Sequence, residues 1–215
     1  MFNLQDLEKK INSELGTKIK DSKINHGQIY ITINPEELLD ATLLLKTNKN
    51  TKFRQLIDIT AVDYPENQKR FKMVYLFLSH ELNQRIILSF FINENQQISS
   101  LTKIFPSANW MEREVFDMYG VKFTDHPDLR RILTDYGFEG YPLRKDFPLT
   151  GHIEVRYSED KKKVVYEPVW LGDGIYLPFL SLHTADFCAR SCSDESVDLS
   201  AVIAHRYPAR LFGLQ

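Results

Sequence analysis

The stretch "FRQLIDITAVDYPENQKRFKMVYLFLSHELNQRIILSFFI", residues 53–92, decides the fold. It contains three runs rich in β-branched and aromatic residues, Phe53–Tyr64, Phe71–His80 and Gln84–Ile92. Such runs read as strands, and the turn-like separators "PENQ" and "ELN" are too short for a crossover. Neighbouring antiparallel strands are therefore expected. Upstream, "QIYITI" (residues 28–33) alternates and is a fourth strand. "NPEELLDATLLLKT" follows, with Asn34 to cap, Pro35 at the first helical position and Glu36 and Glu37 in the first turn, which predicts a helix. At the start, Leu4, Leu7, Ile11 and Leu15 share one side of an amphipathic helix. Downstream, "ISSLTKIF" is a short helix or turn. The order is α-β-α-β-β-β-α. The expected class is α+β, a mostly antiparallel sheet with helices on one face, followed by an extended C-terminal docking segment. The expected divisions are an α+β domain over 1–119, an extended segment over 120–169 and a divergent tail over 170–215.

Composition narrows the function. The chain has 215 residues, a formal charge of -2 and 43% hydrophobic residues, as a globular protein does. No long basic stripe invites nucleic acid. Two cysteines, Cys188 and Cys192, are too few for a four-cysteine iron–sulfur cluster or a disulfide scaffold. No signal or transit peptide is expected from "MFNLQDLEKKINSEL", and no apolar run approaches the ~20 residues that span a bilayer.

The segment "WMEREVFDMYGVKFTDHPDLRRIL" (110–133) packs charges between large apolar side chains. Asn109 suits an N-cap, with Glu112 three residues later as in a capping box, and Gly120 suits the position past the C-terminus. Met111, Val115, Met118 and Tyr119 form an apolar face. Arg113 and Asp117 are four apart and able to pair, but with the base N-terminal, the weaker orientation, worth under ~0.5 kcal/mol. Local helix energetics thus leave Glu112, Arg113, Glu114 and Asp117 unexplained, and charged partners elsewhere explain them better. A solvated charged face is the plain alternative. Glu112, Glu114 and His126 could do acid–base chemistry, but no nucleophile motif, phosphate loop or cofactor fingerprint accompanies them. His126, held extended by Pro127, reads as a hydrogen-bonded structural group.

"YPLRKDFPLTG" (141–151) repeats the theme. Pro142 and Pro148 forbid helix and display Arg144, Lys145 and Asp146 on a stiff ribbon. The expected partner-docking residues are Glu112, Arg113, Glu114, Asp117, His126, Arg130, Arg131, Arg144, Lys145 and Asp146. No catalytic, cofactor-binding or metal-binding residue is expected. His183, Cys188, Cys192 and His205 have the residue types of a zinc site, but poor spacing.

"EREVFDMYGVKFTDHPDLRRIL" and "LTDYGFEGYPLRKDFPLTGHIEVRY" resemble the C subunit of NADH–quinone oxidoreductase, respiratory complex I, and in particular its mitochondrial form, NADH dehydrogenase subunit 9, and alphaproteobacterial relatives. "LIDITAVDYP" and "FPSANWMEREVFDMYG" extend the resemblance over roughly residues 53–169. It implies a non-catalytic assembly subunit of the hydrophilic arm, packed against the quinone-site subunits. It also implies no cofactor on this chain, while the whole complex uses NADH, FMN, iron–sulfur clusters and quinone. The implied place is peripheral to the membrane, on the matrix face of the mitochondrial inner membrane or the cytoplasmic face of the bacterial plasma membrane. The alternative is the equivalent subunit of a membrane-bound hydrogenase or plastoquinone oxidoreductase. After "YEPV" the sequence departs from the family's usual tail.

Overall fold

The structure, a computed structural model, describes residues 4–169. They belong to one unit. Residues 196–205, where the sequence allows a helix, and the four residues of zinc-site type lie outside the described residues.

Five strands form one sheet in the order β1-β2-β5-β4-β3, where β1 is Ile19–Asn25, β2 Gln28–Ile33, β3 Gln55–Asp63, β4 Phe71–Ser79 and β5 Gln84–Ile92. β3, β4 and β5 are the antiparallel meander expected from residues 53–92. β2 joins it in parallel, with Ile29 beside Ile86 and Ile31 beside Leu88. This one parallel pair makes the sheet mixed, and the connection from β2 carries the helix α2 (Leu38–Thr47), as a parallel crossover requires.

β1 is an element the sequence pattern does not reveal. "IKDSKIN" is mostly polar, with no side chain fully buried, because β1 is an edge strand whose outer face meets water. The hairpin to β2 turns on His26 and Gly27, at φ 47° and 71°. Two consecutive positive φ values match the twist of the strands on either side.

The alternation in β4 is strict. Phe71, Met73, Tyr75, Phe77 and Ser79 are buried, and their neighbours are half-buried. The same face of β5 contributes Ile86, Leu88, Phe90 and Ile92. Onto it pack Leu7, Ile11 and Leu15 of α1 (Leu4–Leu15), Leu38, Ala41 and Leu45 of α2, and Ala108 and Val115 of α3 (Ala108–Tyr119). One core therefore forms on one side of the sheet, and each buried Leu, Ile or Phe contributes about 1.5–3 kcal/mol by leaving water.

Two expected caps are corrected. Pro35–Glu37 form a turn of 3-10 helix before α2, and the Asn34 side chain makes no capping bond. α3 starts earlier than expected, so Asn109 lies within it and Ser107 takes the cap position, without a side-chain capping bond. Glu112 consequently turns inward instead of closing a capping box. The far end of the helix is as expected, with Gly120 left-handed at φ 79°.

Beyond α3 the chain is mostly irregular. β6 (Ile98–Ser99) and β7 (Phe123–Thr124) pair in parallel, and a hairpin of β8 (Ile153–Ser158) and β9 (Lys163–Pro168) ends the described residues. "GHIEVRY" thus carries a strand and is not plain extended chain.

Candidate docking surface

The ribbon from Gly120 to Gly151 is fastened to the domain by two carboxylates. The first is Asp117 on α3, which is completely buried. Its Oδ2 accepts the backbone N–H groups of Ile132, Leu133 and Thr134 at 3.0, 2.7 and 3.0 Å. Its Oδ1 accepts the Thr134 hydroxyl at 2.6 Å and Arg131 Nη1 at 3.0 Å. Burial by itself raises the pKa, but this set of donors outweighs it and brings the carboxyl down to about 2. The partner of Asp117 is therefore Arg131 and not Arg113. Arg113 instead donates to the carbonyls of Arg130 and Arg131, with its guanidinium over Trp110.

The second is Asp63 at the end of β3. Arg70 meets it with Nε and Nη2 at 2.8 and 3.0 Å, and the backbone N–H of Lys145 donates to it at 2.8 Å. Burial opposes ionisation, but the Arg70 hydrogen bonds prevail and the pKa is lowered. Arg70 also reaches Glu94 at 3.4 Å and Asp146 at 2.9 Å. Arg144 closes the clasp. Its Nε donates to the Tyr119 carbonyl at 2.6 Å and its Nη1 to Glu94, while its guanidinium stacks 4.3 Å over the Tyr141 ring. Gly120 makes this approach possible, since a Cβ there would lie 2.6 Å from Tyr141 Cζ and 2.7 Å from Arg144 Nη2.

Glu112 lies deeper. It is 0% exposed and accepts from the Leu101 N–H and the Ser100 hydroxyl, each at 2.7 Å. Desolvation raises its pKa to about 7, against the lowering effect of those two hydrogen bonds. The His126 side chain is fully covered, with Nε2 3.2 Å from the Asn109 carbonyl.

The ten residues expected to dock a partner therefore divide. Glu112 and Asp117 have no surface to offer and hold this chain's own loops, which corrects the expectation for both. His126, Arg113, Arg131 and Arg144 are likewise engaged within the chain. Glu114, Arg130, Lys145 and Asp146 are exposed. Asp63, Arg70, Glu94 and Thr134 were missed. Asp63 had a signal, since it follows Ile59 and Ala61 on the inward alternation of β3, and a buried acid demands a partner.

With these charges engaged internally, large apolar groups are left outside. Leu133, Leu143 and Leu149 are 59%, 51% and 107% exposed. The hairpin repeats this in regular form. Ile153 pairs with Pro168, Val155 with Tyr166 and Tyr157 with Val164, so all six share one face. The five non-proline members are 53–63% exposed. The opposite face carries the Arg156–Glu167 ion pair. A two-stranded hairpin is marginal alone and normally needs something on its apolar face.

Fold and surface define a small α+β domain with a firmly fastened arm and an exposed apolar hairpin. Comparison with known proteins gives the family. Residues 31–153 match the model of the respiratory-chain NADH dehydrogenase, 30 Kd subunit. The C subunit of the NADH-quinone oxidoreductase of Ruegeria pomeroyi is 54% identical over 166 residues, covering 74% of this chain and 83% of that protein. Its counterpart in Dinoroseobacter shibae is 52% identical over 166 residues, 77% of each chain. The counterpart in Parvibaculum lavamentivorans is 49% identical over 169 residues, 79% of this chain and 84% of the relative. The chain belongs to the 30 kDa subunit family of the respiratory-chain NADH dehydrogenases, known in bacteria as the C subunit of NADH-quinone oxidoreductase. The same fold appears, with a TM-score of 0.59 and 24% identity, in a chain from the structure of the membrane-bound sulfane sulfur reductase, an archaeal respiratory membrane complex, over 75% of this chain and 98% of that one.

Proposed function

We propose that this chain is a structural and assembly subunit of the hydrophilic arm of NADH–quinone oxidoreductase and has no active site of its own. It holds neighbouring subunits, foremost those that form the quinone site, through the ribbon and the β8–β9 hairpin. The observation that carries this is the inversion of surface chemistry, with ion pairs beneath and apolar side chains above. The place we infer is peripheral, on the matrix face of a mitochondrial inner membrane or the cytoplasmic face of a bacterial one. Among the described residues no helix is long and apolar enough to cross a membrane.

Val155→Glu combined with Val164→Glu tests the docking face. Both side chains are exposed, so the melting temperature of the full chain should change little. Two carboxylates forced into an apolar interface without partners should cost the complex several kcal/mol, about 2–5 or more. The intact complex should vanish from a native gel. Full assembly of the double variant would show that the hairpin faces solvent in the enzyme.

A second prediction concerns cofactors, which we infer belong to the other subunits. The purified full chain should show no flavin or iron–sulfur absorbance and oxidise no NADH. Stoichiometric iron or flavin would overturn this reading. Among the described residues no group of three or more His, Cys, Asp and Glu side chains gathers as metal ligands would.

A further inference from the structure

α3 carries into the interior a carboxyl group, Glu112, that no Lys or Arg among the described residues pairs with. Three side chains face Glu112 from the elements around it. Tyr75 comes from β4, Ser100 follows β6 with Thr102 behind it, and His126 follows β7. Ser100 Oγ is 2.7 Å from Glu112 Oε2 and 2.8 Å from Thr102 Oγ1. Such a pair of hydroxyls can turn either way, so Ser100 serves a neutral acid as acceptor as readily as it serves a carboxylate as donor. Tyr75 is fully buried, and its hydroxyl has no hydrogen-bond partner among the described residues.

His126 is the only basic side chain within 4.0 Å of Glu112 among the described residues, at 3.9 Å. Its own hydrogen bonds keep it from acting as a counter-ion. Nδ1 accepts the backbone N–H of Asp128 at 3.0 Å. Nε2 lies 3.2 Å from the Asn109 carbonyl, which can only accept. Both contacts are satisfied with hydrogen on Nε2 and Nδ1 bare. A second ring proton would set N–H against N–H at Asp128. The Asp128 carboxylate is already taken up by Arg130, at 2.7 and 2.6 Å.

We propose that Glu112 is an interior proton-binding site that latches the root of the docking ribbon, closed while the acid holds its proton and opened when it gives that proton to water. An unpaired carboxylate inside a fold is costly, and hydration relieves it. Tyr75 and α3 are fixed by the sheet and the core. The His126 turn, 126–128, is the cover on the ribbon side, held by the contacts of His126 with Asn109 and of Asp128 with Arg130. It leads directly into Arg130 and Arg131, whose carbonyls Arg113 holds, and into the amides that Asp117 holds. Opening it loosens the ribbon between β7 and the segment that Asp117 holds. The ribbon is that of the proposed docking role, but the latch is read in the chain alone, so its failure leaves that role standing.

The test uses the full chain and two measurements. Infrared spectra at about pH 6 should show the carbonyl band of one protonated carboxylic acid, absent in Glu112→Gln. Protection of the Asp128 amide against hydrogen exchange, corrected for intrinsic rates, should fall by up to about tenfold per pH unit as pH rises from the ordinary carboxyl value of 4.5 to the midpoint of that band, and level off above it. In Glu112→Gln, which keeps an acceptor for Leu101 and a donor for Ser100, the corrected protection should stay flat. If that variant fails to fold, the wild-type protein still decides, because the fall in Asp128 protection must end at the pH where the band is half lost. The absence of the band at about pH 6, a protection that keeps falling beyond the midpoint of the band, or the same pH profile in both proteins would overturn the proposal.

Discussion

Replacing Asp117 with alanine is expected to cost the isolated chain about 3–5 kcal/mol, the scale for removing one partner of a buried ion pair. Five donors converge on that carboxylate, and three are backbone amides of residues 132–134. Alanine leaves them with no acceptor and strands the Arg131 guanidinium. The urea midpoint should fall, and trypsin should cut at Arg130 and Arg131, which the native fold should protect. Asp117→Asn should lie between, since its amide oxygen keeps some donors satisfied while its NH2 faces others. Acid should imitate the mutation. The folded pKa of about 2 lies below the ordinary 3.8, so the stabilisation is complete above pH 3.8 and is lost as pH falls through about 2. That shift corresponds to about 2 kcal/mol. An unchanged midpoint and unchanged trypsin resistance would show that the ribbon is held elsewhere.

Arg144→Ala should destabilise the lone chain by about 2–3 kcal/mol, because one substitution removes two charge-assisted hydrogen bonds and leaves the Tyr119 carbonyl short of a donor. This reverses what the sequence suggests. There, a proline-stiffened Arg looks like a contact for another protein, whose loss would harm assembly and spare the chain itself. Here its guanidinium lies against Tyr141 and Phe71 of its own chain. Arg144→Lys should recover little, since an ammonium cannot stack flat while donating in two directions. Thermal melts of the three proteins, without any partner present, measure this. A lysine variant as stable as the native protein would reduce the site to a point charge.

The sheet is legible in the sequence because its strands announce themselves by alternation. β4 and β5 bury every second residue, and the turns between strands are short. β1 is not legible, because an edge strand with a wet outer face has no reason to alternate cleanly. What betrays it is the His26–Gly27 turn, not the strand. The charged residues of 112–146 stand out as unusual, yet most of them act beneath the surface and not on it. Periodicity says which residues share a face of one element. It does not say that the loop at 131–134 folds back over α3, and only that return gives Asp117 its donors. The exposed apolar hairpin is similarly hidden, since "SEDKKK" reads as a charged turn and the pairing of Val155 with Tyr166 depends on register.

The one parallel pair in the sheet also has a temporal meaning. β2 is made before its inner neighbour β5, which ends at Ile92. Until the meander between them has left the ribosome, the first hairpin and α1 can pack only against each other and α2. Ile29 and Ile31 then lack their neighbours Ile86 and Leu88, and loop closure over that span precedes any reward from the contacts it permits. Residues in the best-covered layer of the finished core are thus among the last to gain their full cover.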